Sequence, residues 1–227
     1  GVALGDFNRD NAPDIVAGPY WYAGPDFTAR QAYYLPEPYS IEGYSHNFVT
    51  RSWDVNGDGW TDIVVVGFPG AETYWYENPQ GAGGHWKQHL VLADTSNESP
   101  LLADASGDGV PDLVCMSGGR AGYAEIPDDP TQPWAFRAVS EDRQYGRFTH
   151  GVGVGDGNGD RRPDILCKDG WWAHPTDNAR GELWKFHPLQ FTEPGGAQMY
   201  AYDFDGDGDS DVITAKAAHA YGLAWFE

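Results

Sequence analysis

The chain has 227 residues, with 34 acidic against 14 basic side chains and a formal net charge of −20. So few Lys and Arg exclude a phosphate-neutralising nucleic-acid surface, and no apolar run reaches the roughly 18 residues of a membrane-spanning helix. The length suits a single domain, residues 1–227, with a substantial core.

In chain order, Gly1 opens inside a strand-like run, which leads to the expectation of a processed or excised piece of a longer precursor. The run enters an acidic loop with Asp6, Asn8, Asp10 and Asp14 at positions 1, 3, 5 and 9, followed by Ile15-Val16 and a third strand around Trp21-Tyr22. The second repeat reads most fully. Residues 46–53 are a first strand, Asp54, Asn56, Asp58 and Asp62 line the loop, and 62–67 are an apolar second strand. Residues 72–77 make a third strand stopped by Asn78-Pro79, and 85–92 a fourth rich in β-formers. The pattern returns with Asp104, Ser106, Asp108 and Asp112 before a strand at Tyr123-Ala124. It returns again with Asp156, Asn158, Asp160 and Asp164 before Trp171-Trp172. The last copy has Asp203, Asp205, Asp207 and Asp211, then Trp225-Phe226, with no fourth strand before Glu227.

The loops begin at residues 6, 54, 104, 156 and 203, a period near 50 that predicts an all-β propeller of four-stranded blades. The repeats run 1–45, 46–95, 96–147, 148–194 and 195–227, the last incomplete. Either five blades close a ring with one three-stranded blade, or the chain is most of a larger ring.

Crowded carboxylates repel one another unless a hard cation offsets them. Calcium takes six to eight oxygens in irregular geometry, so the twenty loop residues named above are the candidate ligands for up to five Ca2+. The bland alternative is five metal-free Asx-turns. The opening resembles an EF-hand, but no Glu stands at position 12. Gly59, Gly109 and Gly208 supply the sharp turn at position 6 and Asn11 tolerates it, whereas Arg161 suits it poorly and makes the fourth loop the weakest candidate. The candidate ligand positions hold 16 of the 34 acidic residues, and five Ca2+ would bring the net charge to about −10. Millimolar calcium outside the cytoplasm points to a secreted, periplasmic or cell-surface protein. Cys115 and Cys167 sit at equivalent positions of adjacent repeats, too far apart for a disulfide, and read as buried free thiols.

These loops with their Asp-Ile/Leu-Val exits resemble FG-GAP/VCBS repeats, and the resemblance covers the whole chain. It implies a calcium-binding β-propeller, in a family where rings often have seven blades, and it leaves the activity open because propellers host many functions.

Propeller geometry places the fourth-to-first and second-to-third connections on the face opposite the acidic loops. There the sequence gathers His46, Glu98, His150, Lys168, Lys216 and His219, with Asn47, Asn97, Gln198, Asp169 and Arg120 nearby. Taken singly, each has a structural reading as a backbone partner or a solvated charge. Taken together they form a funnel of the default ligand-site type, and two or three converging His would accommodate Zn2+ or another divalent metal. His85, His89, His174 and His187 fall on outer strands or their loops and receive no function. No G-x-S-x-G, H-E-x-x-H, Walker or Rossmann pattern is present.

Three functions follow. The first is a calcium-stabilised module that binds a glycan or protein at the funnel. The second is a carbohydrate-active lyase or dehydratase using the His, Lys and Glu residues for proton transfer and enolate stabilisation, a reading helped by a weak resemblance to the propeller part of keto-sugar dehydratases. The third is an integrin-like adhesion scaffold. Most of the ten Trp residues are assigned to packing between blades, with sugar stacking left for those nearest an open face.

Overall fold

The computed structural model describes residues 1–177, 179–193 and 195–227. Every regular element among them is a strand, and no helix is long and apolar enough to cross a membrane. The chain folds as two compact units, Gly1–Thr95 with Ile126–Trp134, and Ser96–Glu125 with Ala135–Glu227.

The first unit holds two antiparallel meanders. One runs β1 (Val2–Gly5), β2 (Asp14–Ala17), β3 (Tyr20–Tyr22) and β4 (Arg30–Ala32). The other runs β5 (Val49–Trp53), β6 (Asp62–Val66), β7 (Ala71–Glu77) and β8 (Lys87–Thr95). The second unit holds three. These are β9 to β12 (Leu101–Ala103, Asp112–Ser117, Arg120–Glu125, Ala135–Ala138), then β13 to β16 (Val152–Gly155, Asp164–Cys167, Gly170–Ala173, Lys185–Pro188). The last sheet has three strands, β17 (Met199–Tyr202), β18 (Asp211–Ala215) and β19 (Leu223–Phe226). Strand order equals chain order in every sheet, the arrangement of a propeller blade.

The second strands read as apolar runs because they are buried on both faces. All five residues of β6 are buried, as are Asp112–Met116 of β10. The cores are aromatic: Phe7, Tyr33, Tyr76 and Trp86 pack with Val16 and Ile63 in the first unit, and Tyr123, Trp172 and Trp184 with Val114 and Ile165 in the second. Each such side chain contributes about 1.5–3 kcal/mol by leaving water. Cys115 and Cys167 are buried and not joined in a disulfide, and burial pushes the Cys167 thiol up to about 11.

Two sequence expectations need correction. The first strand of the second repeat does not start at His46. Its ladder starts at Val49, and those of the later repeats start at Leu101, Val152 and Met199. Before the third repeat's ladder the polar groups go elsewhere: Glu98 N–H donates to Thr149 O, and the Asn97 side-chain oxygen accepts from Met116 N–H. The fourth strand of the second repeat is β8, displaced from 85–92 to 87–95, with Trp86 just outside it. That Trp belongs to a recurring clamp. Trp86, Trp134 and Trp184 each donate their backbone N–H, at 2.8 Å, to Tyr33 O, Val91 O and Val139 O respectively. In each case the acceptor lies in or just beyond the outermost strand of the preceding sheet.

Candidate functional site

The five acidic loops share one backbone conformation. Positions 4 and 6 both have positive φ in every copy: Arg9 and Asn11, Gly57 and Gly59, Gly107 and Gly109, Gly159 and Arg161, Gly206 and Gly208. Arg161 adopts φ 65° despite its side chain, so the fourth loop closes like the others. The position-1 carboxylate holds the turn, as when Asp54 accepts from Asp58 N–H and Gly59 N–H at 3.0 and 2.8 Å. The position-5 carboxylate accepts from the N–H two residues on, as Asp58 does from Trp60 at 2.8 Å.

Position 9 does something different. Asp14, Asp62, Asp112, Asp164 and Asp211 are all buried. Asp62 accepts Val55 N–H on one oxygen and Asn78 N–H on the other, at 2.9 and 2.7 Å. Asp14 does the same with Phe7 and Gly24, and Asp164 with Gly157 and His174. These carboxylates tie the loop to the strands that follow it. Burial pushes the Asp62 and Asp112 carboxyls up to about 7.

The second oxygen of the position-5 carboxylate ranks the loops as cation sites. It is capped by Asn8 in the first loop, by Asn56 and Gln80 in the second, by Arg180 in the third and by Arg162 in the fourth. In the fifth loop Asp207 instead stands beside Asp209, and this like charge raises the Asp209 carboxyl. Asp211 Oδ1 is buried with no hydrogen-bond partner. Asp203, Asp205 and Asp211 bring one oxygen each within 4.8 Å of one another, and Asp205, Asp207 and Glu227 form a second such group. Oxygens gathered this closely, one of them orphaned, fit a hard cation.

The other sequence candidates divide between the units. In the first, exposed His46 lies edge-on to Tyr39 at 5.4 Å. In the second, Glu98, His150 and His219 come together, with His150 Nδ1 3.3 Å from Glu98 Oε2 and the two imidazoles 5.0 Å apart. Lys168 Nζ is paired with Asp169 at 2.6 Å. Exposed Lys216 closes the base of the turn that carries His219, its N–H donating to Gly222 O at 2.8 Å. The four His residues assigned no function are not brought to this cluster: His89 stacks on Trp75 and His187 on Trp171, at 4.5 and 4.2 Å, across equivalent strand pairs. His174 bonds Ser106 O and Pro175 O, while His85 is exposed.

Sequence reasoning singled out His46 and Asn47 but missed the other walls of a cleft of about 410 Å³ in the first unit. Tyr34, Tyr39, Tyr74 and Tyr76 supply its aromatic surface, and Glu37, His46, Asn47, Glu72 and Gln88 its polar groups. Asn47, Gly67 and Ala71 lie at the end of β5 to β7 remote from the acidic loop, since the register pairs Val49 with Val66 there and Trp53 with Asp62 at the loop end. A short network fixes one wall: Tyr34 OH donates to Asn47 Oδ1, and Asn47 Nδ2 donates to Tyr33 OH and Gly18 O at 2.8 and 3.2 Å. Burial pushes the Tyr34 hydroxyl up to about 12, so it remains a donor. The Tyr-rich stretch around residues 33–47 was the available signal, but it carries no strand period.

Residues 54–115 match the FG-GAP-like repeat, a span that includes the second and third acidic loops. Among solved structures, the chain is similar to an Agrocybe aegerita lectin, whose structure addresses specific recognition of non-reducing terminal N-acetylglucosamine. The identity is 18%, the TM-score 0.58, and 99% of this chain and 65% of that one are covered. It is also similar to the Photorhabdus luminescens Tc holotoxin pore, at 17% identity and a TM-score of 0.50, over 100% of this chain and 11% of that one. The chain thus spans less than two thirds of either relative. At these identities the likeness shows the fold alone: β-propeller blades, with an FG-GAP-like repeat at residues 54–115.

Proposed function

We propose that this chain is a carbohydrate-binding module, with its sugar site in the tyrosine-walled cleft of the first unit and Ca2+ in its acidic loops. The observation that carries the reading is the composition of the cleft. Pyranose rings offer an apolar C–H face and a rim of hydroxyls. Four Tyr rings beside two carboxylates, the Gln88 amide and an imidazole match both. The volume of about 410 Å³ falls within the ~300–1,000 Å³ of small-molecule sites. Similarity to a lectin in fold is consistent with this use.

The calcium reading is supported first at the fifth loop, where Asp203, Asp205 and Asp211 converge and Asp211 Oδ1 is orphaned. The other loops repeat the oxygen positions of the fifth, but some of their oxygens already accept two or three backbone N–H groups, as Asp156 Oδ1 does, so a cation there would compete with those bonds. Working in millimolar calcium, the module would act outside the cytoplasm.

The sugar site is tested by titrating N-acetylglucosamine-terminated and other glycans into the calcium-loaded protein. Tyr39→Ala removes a half-exposed ring and is expected to weaken binding roughly fivefold, for ~1 kcal/mol of lost stacking. Glu72→Gln should weaken it through the hydroxyl contacts, whereas Tyr221→Ala, in the second unit, should not. Glycan binding unchanged in both cleft variants, or absent across a broad array, would sink this assignment.

A further inference from the structure

We propose that Glu98, His150 and His219 bind one divalent transition-metal ion, with Zn2+ the best match and coordination positions left open to solvent. This site lies in the second unit and does not depend on sugar binding in the first.

The donor set comes first. Two imidazoles and one carboxylate suit Zn2+ and its neighbours, whereas calcium requires an all-oxygen shell. One ligand atom from each residue lies within 4.8 Å of the other two. The Glu98–His150 separation of 3.3 Å already equals the edge of about 3.3 Å in a tetrahedron with bonds of ~2.0–2.1 Å. A Glu98–His150 ion pair alone would explain that distance. It would not explain why a third segment brings His219 to the same place.

Backbone contacts deliver all three residues. Asn97 and Thr149 form a parallel bridge, reinforced by Glu98 N–H donating to Thr149 O at 3.1 Å, and this sets Glu98 beside His150. Gly195 then joins His150 to the His219 turn. Its carbonyl accepts Ala218 N–H at 3.0 Å, and its Cα is so close that an added Cβ would meet the His150 Cβ at 2.8 Å. Gly195 also has φ 92°, so a glycine serves both the turn and the close approach. Glu98 and His150 are partly buried, which restricts their rotamers, while His219 is exposed.

Three protein donors with one open side leave the arrangement of a reactive rather than a purely structural zinc centre. The open positions take water or an oxygen ligand, such as a hydroxyl or carboxylate of a small molecule.

The test is calorimetric titration of Zn2+ into the full chain with excess CaCl2, so that the acidic loops are occupied. One equivalent of Zn2+ is expected to bind. His150→Ala, His219→Ala and Glu98→Gln should each weaken it by at least about 10-fold, the lower end of what even outer-sphere partners cost. Co2+ should give a visible absorption band that Zn2+ displaces. His85→Ala and Asp203→Asn should leave the zinc isotherm unchanged. His219→Ala alters only an exposed turn, so an unchanged melting temperature separates loss of metal from loss of fold. No zinc uptake under saturating calcium would overturn the proposal. So would three variant isotherms that overlay the wild type, which would leave a Glu98–His150 ion pair only.

Discussion

At the scale of single residues, the acidic loops separate two jobs that one side-chain type performs. Asp62 is buried and both of its oxygens are taken by backbone N–H groups. Asp62→Asn keeps one acceptor but sets an amide N–H₂ against a backbone donor. It should cost about 2 kcal/mol in urea unfolding with or without calcium. Asp58→Asn, at the partly buried loop tip, should cost far less in chelator and show its effect mainly when calcium is present. Equal losses for both variants in chelator would contradict this division. The sequence presents both as loop carboxylates of equal standing, because spacing reports where oxygens converge and not which lone pairs the backbone already uses. For the same reason the left-handed turn at position 4 escaped notice, while the glycines at position 6 announced theirs.

Among the elements, the strand types were legible and their ends were not. Runs such as Ile63–Val66 are apolar because both faces are covered, and that is written in composition. Where a ladder begins depends on competing partners, as with Asn97 and Met116. The Trp clamps were half visible, as tryptophans without a stated partner. Trp184 is buried against Tyr123 and His174, and its indole N–H donates to Ala179 O at 3.1 Å. Trp184→Ala should therefore lower stability by about 3–5 kcal/mol, read by thermal or urea unfolding, with Trp184→Phe losing less. A near-neutral Trp184→Ala would remove the indole packing from the set of stabilising contacts. The tyrosine cleft was least legible, since one wall comes from a connection whose shape is set by the Asn47 network rather than by any repeat.

Over the whole molecule, a net charge of −20 is a standing electrostatic load. The 50-residue period made the blade architecture readable, because each repeat carries its own loop and strands. It could not rank the loops, which depends on Gln80, Arg162 and Arg180 arriving from outside the nine-residue motif or from its variable positions. Calcium at about 100 times its Kd contributes ~2.7 kcal/mol per site. Adding EGTA should then lower the melting temperature by roughly 5–10 °C for each such site emptied in a chain of this size. Asp203→Asn should remove more of that shift than Asp160→Asn, since Arg162 already partners Asp160. An unchanged melting temperature in EGTA would count decisively against bound calcium.

The turn bonds of the acidic loops have a kinetic side. The position-1 and position-5 carboxylates bond residues no more than five positions away, and a loop of this length closes in tens of nanoseconds. The Trp clamps join residues 43 to 53 positions apart and must wait for whole hairpins to form. Folding order then follows contact distance along the chain: acidic hairpins first, outer edges last. Trp184→Ala, which strips the indole packing beside one clamp, should accordingly speed unfolding while leaving the refolding rate almost unchanged, so these late contacts govern how long the native state lasts rather than how quickly it is found.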